Sequence, residues 1–362
     1  MYKTVIVGAG LSGATLARKL ADNGEKVLII DKRNHIGGNV YDYIDKETNI
    51  RLSKYGAHIF HTNNENVWEF VNRFSEWIDY EHKVLSYVNN QFVPVPVNIT
   101  TVNKLFGLNI TNKSDMNLWL KNNQILSNIK NSKDAALSRV GNDLYKLMFE
   151  NYTKKQWDLY PEELEASVLE RIPVRDDFND KYFSDKYEGL PKNGYTYLVE
   201  NMLDHKNIEV KLNEEYDSKK HKAKRLIFTG KIDTYFSDKF GKLEYRSLIF
   251  HYKTYKIKNY QPCAVVNYPS LKYPYTRKID YKQFYNIESD YSIIAEEFST
   301  NNGEEYYPVP TQKNREIYSQ YQKEAQKLEK ENIFFVGRLA QYKYFNMDQA
   351  ILSALQLYEK IK

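Results

Sequence analysis

A single cysteine, Cys263, in 362 residues excludes a disulfide framework, and its setting in the apolar stretch CAVVNY marks a buried thiol in a reducing compartment. No apolar stretch approaches the roughly 20 residues that a membrane-spanning helix needs. Met1 leads within a few residues into a glycine loop, which leaves no room for a leader peptide. The expectation is a soluble cytoplasmic protein with no membrane partner. An excess of charge is also missing: 52 Lys and Arg against 47 Asp and Glu give +5 over the whole chain, too weak a footprint for nucleic acid but favourable to a small anion. The basic run KKHKAKR (219–225) has no interleaved aromatics and reads as a solvated connection. Histidines are few, seven in all. His58 and His61 stand at i, i+3, but no cysteine or carboxylate cluster completes a metal site, so no metal is expected.

What is present is sizeable: 42% hydrophobic residues over a length that holds roughly two or three domains. TVIVGAG and KVLIID read as short buried strands flanking an amphipathic helix, one βαβ unit of a parallel sheet. ENVWEFVNRFSEW places Val67, Phe70, Val71, Phe74, Trp77 and Ile78 on one helical face behind the capping candidates Asn63 and Asn64. Residues 100–156 hold little Gly or Pro and show helical spacing around Leu118, Leu120, Ile125, Ile129, Leu144, Leu147 and Met148. RSLIFHYKTYKI, CAVVNY and YSIIAEEFS carry β-branched and aromatic residues in strand-length runs and predict an antiparallel sheet. The C-terminal NIFFVGRLAQYKYFNMDQAILSALQLYEKI returns to strand, glycine and helix, so a nucleotide domain is expected from both ends of the chain. The 32 tyrosines, beside abundant Lys, Asn and Ile, read as compositional bias unless they fall in a motif.

The glycines carry chemistry. In VIVGAGLSGATLARKL, Gly8 permits a tight turn, Gly10 lets the backbone approach a pyrophosphate, and Gly13 lets helix pack on strand, while the helix N-terminus attracts phosphate. Asp31 closes the second strand at the spacing of an acid that binds a ribose 2′-hydroxyl, which disfavours the 2′-phosphate of NADP. NAD and FAD remain. In DKRNHIGGN, Lys32, Arg33, Gly38 and Asn39 extend the site, and the Gly37-Gly38 doublet supplies a second close backbone approach beyond an adenosine. FFVGRL adds Gly337 and Arg338 just before a helix whose N-terminus can face a pyrophosphate or an isoalloxazine ring, and Met347 is counted with the cofactor site. FAD is the expected cofactor. No second G-x-G-x-x-G marks a site for a nicotinamide hydride donor, which leaves a flavin without a redox partner.

Further along, KYGAHIFHTN, YTKKQW, RIPVR, KYFSDKYEGLPKNGYT, YRSL, AVVNY, YTRKID, YYPV and GRLAQYKYFNMDQAI follow one another in an order and approximate spacing that resemble the bacterial UDP-galactopyranose mutase family from about residue 3 to the C-terminus. The resemblance implies an α/β fold: a Rossmann-like FAD-binding domain (1–85, 190–240, 318–362), an inserted helical domain (86–165) and an antiparallel β-sheet domain (166–189, 241–317). It implies a homodimer, a role in cell-surface polysaccharide synthesis, and interconversion of UDP-galactopyranose and UDP-galactofuranose without net redox, through attack of reduced-flavin N5 on the anomeric carbon. Residue by residue, it gives Arg171 and Arg277 as diphosphate-binding arginines and Tyr182, Tyr307 and Tyr344 as diphosphate-contacting tyrosines. Tyr152 is the uracil-stacking position, Asn267 faces uridine or sugar, Trp157 rides a mobile loop over substrate, and His58 lies by the flavin ring.

The chain also departs from that pattern. Asn346 stands where the family usually has aspartate and is taken as a catalytic position with Arg171, Arg277 and His58; Asp348 replaces a common histidine and Asp158 a glycine. Such departures leave open another sugar nucleotide, such as UDP-N-acetylgalactosamine, UDP-arabinose or a dTDP-sugar. A flavin oxidoreductase of the amine-oxidase or desaturase type shares the glycine loop, Gly37-Gly38 and the C-terminal strand, but does not account for paired arginines, stacking tyrosine and tryptophan in one order. A non-enzymatic flavoprotein would need no tyrosine-lined diphosphate site.

Overall fold

The computed structural model describes residues 2–362. The apolar runs at 4–7 and 27–30 form the middle of a five-stranded parallel sheet in the order Ile208–Lys211, Val27–Ile30, Thr4–Val7, Arg225–Phe228, Ile333–Phe335. Val27–Ile30 is buried along its whole length, as a strand covered on both faces must be. Helix Leu11–Asp22 packs against the last helix, Met347–Ile361, with Leu16, Leu20, Ile351 and Ala354 buried. A polypeptide that starts this sheet at its centre and closes it with its last strand brings three remote glycine segments to one end of the sheet.

A seven-stranded sheet runs Tyr307–Pro308, Tyr245–Tyr255, Ser292–Thr300, Arg277–Asp280, Val265–Asn267, Val84–Val88, Gln91–Pro94. It is antiparallel except that Val265–Asn267 pairs in parallel with Val84–Val88. The hairpin at 84–94 therefore belongs to this sheet, and helices begin only at Ile99–Phe106, not at residue 86. The alternating burial of Val84, Ser86 and Val88 is the period-2 mark of a strand. Helix Gln312–Leu328, capped by Thr311, runs across residue 318, so no boundary falls there. Strand Tyr187–Pro191 pairs with Phe60–Thr62 and Trp77–Asp79 in a separate small sheet.

The helical insert packs Val102, Met116, Leu120, Val140, Leu144 and Met148 against Val88 and Val93 of the hairpin. Met116 and Leu144 are fully buried, each contributing on the order of 2 kcal/mol of transfer free energy. Leu118, Ile125 and Ile129, expected on the same buried stripe, are exposed: they fall on the outer side of helix Lys113–Asn123 or in the connection after it. Likewise helix Glu65–Asn72 is capped by the Asn64 side chain, which accepts from Val67 N–H, and buries Val67, Phe70 and Val71. It ends before Trp77 and Ile78, which lie in a strand. A π-helical turn, Tyr145–Glu150, feeds directly into helix Asn151–Trp157.

Candidate active site

The first part of the site is a cavity of about 880 Å³ at the end of the parallel sheet. Gly10 and Gly38 bring two backbone segments together across it: a Cβ on Gly38 would come within 3.0 Å of the Gly10 Cα. Gly13 lets the helix sit on the loop, since its Cβ would fall 2.0 Å from the Gly8 carbonyl oxygen. No side chain caps helix Leu11–Asp22 and no acid occupies its first turn, so its N–H groups are free to face an anion. Gly8, Asp31, Lys32, Arg33, Asn39, His58, Gly337, Arg338 and Met347 line the same cavity, so every residue expected at the cofactor does so. The Asp31 carboxylate also accepts from Ala9 N–H at 2.8 Å and Arg33 N–H at 2.9 Å, fastening the loop.

Sequence reasoning missed the segments 214–218 and 229–231 and the acids Glu304 and Glu305, which complete the lining. Thr229 donates to the Val7 carbonyl at 2.8 Å. The dipeptide Thr229-Gly230 closing the strand RLIF was the available signal, overlooked beside the basic run.

His58 stands where this cavity meets a second cluster. Its Nδ1 is 2.8 Å from the Gly56 carbonyl oxygen, so that nitrogen donates and Nε2 keeps a lone pair. Burial and the charges of Arg338 and Arg277 push its pKa down to about 4. His58 is therefore neutral at physiological pH.

The second cluster is built from all three parts of the fold. Arg171, just after helix Ser167–Glu170, lies over the Tyr344 ring at 4.4 Å. Tyr344 stacks on Tyr307 at 5.1 Å, and Arg338 lies over Tyr307 at 5.4 Å. Burial would raise the Tyr344 phenol, but Arg171, Arg338 and Arg277 outweigh it and hold the group below the ordinary tyrosine value. Arg277 points Nε and a terminal nitrogen at one Glu297 oxygen, each at 2.8 Å; the two residues face each other across adjacent strands. Burial chiefly raises Tyr152, with Arg277, Glu297, Tyr182 and Arg171 in electrostatic reach. Tyr182 is fixed by its N–H donating to the His82 carbonyl at 2.7 Å. Asn267 is the cross-strand partner of Arg277, and its Oδ1 is buried without a partner. Three guanidinium groups against one carboxylate, which pairs with Arg277, leave the cluster a positive surplus.

One expectation needs correction. Trp157 does not sit on a loop: it ends helix Asn151–Trp157, is 2% exposed and packs its ring against Tyr344 and Tyr307. The polar run around it is helical because it continues the π-helical turn. Asp158 then takes a left-handed backbone, φ +60°, the conformation that favours glycine. Asn346 lines the dinucleotide cavity and is the N-cap residue of the last helix, where its N–H donates to Gln349 Oε1 at 2.9 Å and its side chain makes no capping bond. Glu297 was not foreseen, although two adjacent acids inside an apolar strand, IIAEEFS, were a usable sign of a buried ion pair.

Comparison with known proteins gives independent information. The family model described as UDP-galactopyranose mutase matches residues 147–344, and that of an NAD(P)-binding Rossmann-like domain matches residues 6–74. A probable UDP-galactopyranose mutase of Klebsiella pneumoniae is 39% identical over 97% of this chain and 92% of its own. A dTDP-fucopyranose mutase of Escherichia coli is also 39% identical, over 99% of both chains. The UDP-galactopyranose mutase of Mycoplasma genitalium is 34% identical over 98% of this chain and 93% of its own. The crystal structure of a reduced UDP-galactopyranose mutase aligns at TM-score 0.77 over 100% of this chain and 94% of that one; at 15% identity this speaks for the fold. With relatives matched end to end and motifs seated around one cleft, the chain belongs to the UDP-galactopyranose mutase family, a family of isomerases.

Proposed function

We propose that this protein is an FAD-dependent mutase that interconverts the pyranose and furanose forms of a sugar attached to a nucleoside diphosphate, with UDP-galactose as the first candidate. One observation carries the reading: a half-buried arginine and tyrosine cluster with surplus positive charge, Arg171 at its exposed edge, opens onto a dinucleotide-sized cavity at a neutral histidine. The cavity fits a flavin dinucleotide because its glycines remove the side chains that would fill it. When bound, reduced flavin supplies an electron-rich nitrogen that can displace the nucleotide and is released at the end, so no redox partner is consumed.

The chain's own residues then have defined tasks. The Gly8–Gly13 loop and the uncapped helix behind it hold the cofactor pyrophosphate, and Asp31 with Arg33 orients the adenosine end. Arg171 and Arg277, as planar cations, hold the diphosphate both while it is attached and while it waits to return. Tyr344, acidified by three arginines, donates a strong hydrogen bond to the same oxygens, with Tyr307 and Tyr182 beside it. His58 offers Nε2 as an acceptor for a sugar hydroxyl or a flavin N–H. Tyr152 and Asn267 bind the base and ribose side.

A second reading concerns the sugar nucleotide. The E. coli dTDP-fucopyranose mutase is as similar to this chain as the K. pneumoniae protein, which supports a dTDP-sugar as the alternative substrate. No helix among the described residues is long and apolar enough to cross a membrane, and the reading places a homodimer in the cytoplasm. The test is to incubate purified protein with UDP-galactofuranose or dTDP-fucofuranose, with and without dithionite, and separate the sugar nucleotides chromatographically. Conversion in reduced samples alone is expected, and its preferred nucleotide names the substrate; oxygen uptake coupled to substrate oxidation would instead support an oxidoreductase.

A further inference from the structure

Lys155 has an environment that none of these roles uses. It lies three residues after Tyr152, on the same face of helix Asn151–Trp157. Its ammonium donates to the carbonyl of Tyr268 and to those of Ser270 at 3.1 Å, Tyr273 at 3.0 Å and Tyr275 at 2.9 Å. Four carbonyls around a group with three protons form a cage, and no carboxylate pairs with it among the described residues. The caged carbonyls all lie in 268–276, the loop whose two ends are Asn267 and Arg277. From the far end of the same helix, buried Arg246 donates to the Gln156 carbonyl at 2.9 Å.

We propose that Lys155 is a positioning residue: it clamps the helix bearing Tyr152 to the hairpin loop between Asn267 and Arg277, and so sets the slot in which the nucleotide is held. The inference rests on the nucleotide occupying this cleft. One cation thereby joins the element that would stack on the base to the strands that would grip the ribose and phosphate. An uncharged group at 155 would leave the carbonyls of Tyr268, Tyr273 and Tyr275 without this donor, Ser270 keeping that of Tyr273 N–H at 3.2 Å, and free the loop to move away, so the two halves of the nucleotide site would lose their fixed separation. The chemistry at the sugar, held by Arg171, Tyr344 and the cofactor, would be touched far less.

The test uses flavin-loaded enzyme titrated with UDP and separately with dTDP, followed by tryptophan fluorescence, together with KM and kcat of the reduced enzyme. Lys155→Met should weaken nucleotide affinity and raise KM by about 10- to 100-fold while kcat stays within about threefold. Lys155→Arg should recover part of the affinity. Lys154→Met, at a residue that reaches Asp158 and the Tyr160 ring but not the 268–276 loop, should match wild type. In the double variant with Tyr152→Ala, the Lys155→Met effect on affinity should largely vanish, which a merely structural role would not produce. Wild-type affinity in Lys155→Met, or a fall in kcat at unchanged KM, would overturn the clamp. If Lys155→Met does not fold, Lys155→Gln carries the same comparison. If wild type binds neither nucleotide, the reading of the cleft fails on its own, and the clamp is then judged by hydrogen exchange, which must quicken in 268–276 of the variant.

Discussion

The Arg277–Glu297 pair allows a prediction that a list of site residues would get wrong. Arg277→Ala removes a cation from the diphosphate, but it also strands Glu297, whose side chain is 1% exposed and whose second oxygen accepts from Thr276 Oγ1 at 3.1 Å. Losing one charge-stabilising donor costs roughly 10²- to 10³-fold in rate. A bare carboxylate about 5 Å from a phosphate, at an effective dielectric near 20, adds repulsion of about 3 kcal/mol, another ~10²-fold. Arg277→Ala should therefore lower kcat/KM by about 10⁴- to 10⁵-fold, and breaking the buried pair should cost stability of about 3–5 kcal/mol. Adding Glu297→Gln keeps a hydrogen-bonding group of the same shape beside Thr276 and removes the stranded charge. The double variant should recover about 100-fold in kcat/KM and much of the lost stability. The assay is turnover of the preferred furanose nucleotide by dithionite-reduced enzyme, normalised to bound flavin, alongside urea unfolding. Equal rates in the single and double variants would refute the idea that substrate feels Glu297, and near-normal activity in Arg277→Ala would remove Arg277 from the site.

Three further outcomes are expected. The protein should purify yellow with noncovalent FAD, and Gly38→Ala, which sets a methyl against Gly10 at a positive φ, should cut flavin occupancy at least about tenfold while circular dichroism is retained; undiminished flavin absorbance would count against the cavity. Buried His82 has its pKa pushed down to about 3 by burial and by Arg277 and His61, so the unfolded chain takes up a proton near pH 6.5 that the folded one refuses. Its contribution to stability is full above that pH and lost as pH falls toward 3; urea midpoints at pH 7 and pH 5 should differ less in His82→Gln than in wild type. Asn346→Asp puts a side chain equally suited to the N-cap position there and adds a favourable charge at the helix N-terminus, so stability should hold or rise by a few tenths of a kcal/mol. The ratio of kcat/KM for UDP-galactofuranose over UDP-N-acetylgalactofuranose then reports whether the position selects the sugar, and an unchanged ratio would make it a cap alone.

What could be read from the residue string and what could not divides along a physical line. Gly8, Gly10, Gly13, Gly38 and Gly337 answer demands of the local backbone, and such demands leave a mark at the residue that meets them. Arg171, Arg277 and the tyrosines were singled out by family motifs, and the structure gathers Arg171, Tyr344 and Tyr307 into contact. Trp77 and Ile78 were misplaced since an apolar period continues past the point where hydrogen bonding stops, and Trp157 because polarity alone does not distinguish a loop from an exposed helix. Glu297 and Lys155 were hidden for a different reason. The partner of Glu297 is chosen by strand register, and the partners of Lys155 are backbone carbonyls, which every residue possesses and no sequence pattern singles out.

That hidden layer bears on how the site can work. Each part of the fold contributes an arginine and a tyrosine to the cluster: Arg171 and Tyr152 from the helical insert side, Arg277 and Tyr307 from the large sheet, Arg338 and Tyr344 from the nucleotide-binding end. Like charges gathered from separate elements repel until an anion lies among them, so the diphosphate would supply much of the attraction that draws the three parts together. Lys155 in its carbonyl cage joins the helical insert to the large sheet, and Glu297 steadies Arg277 within that sheet, before the anion arrives, which lowers the ordering that binding must still impose. A substrate lacking the diphosphate should consequently lose more than its direct contacts, because it would leave Arg171, Arg277 and Arg338 to push the cleft apart.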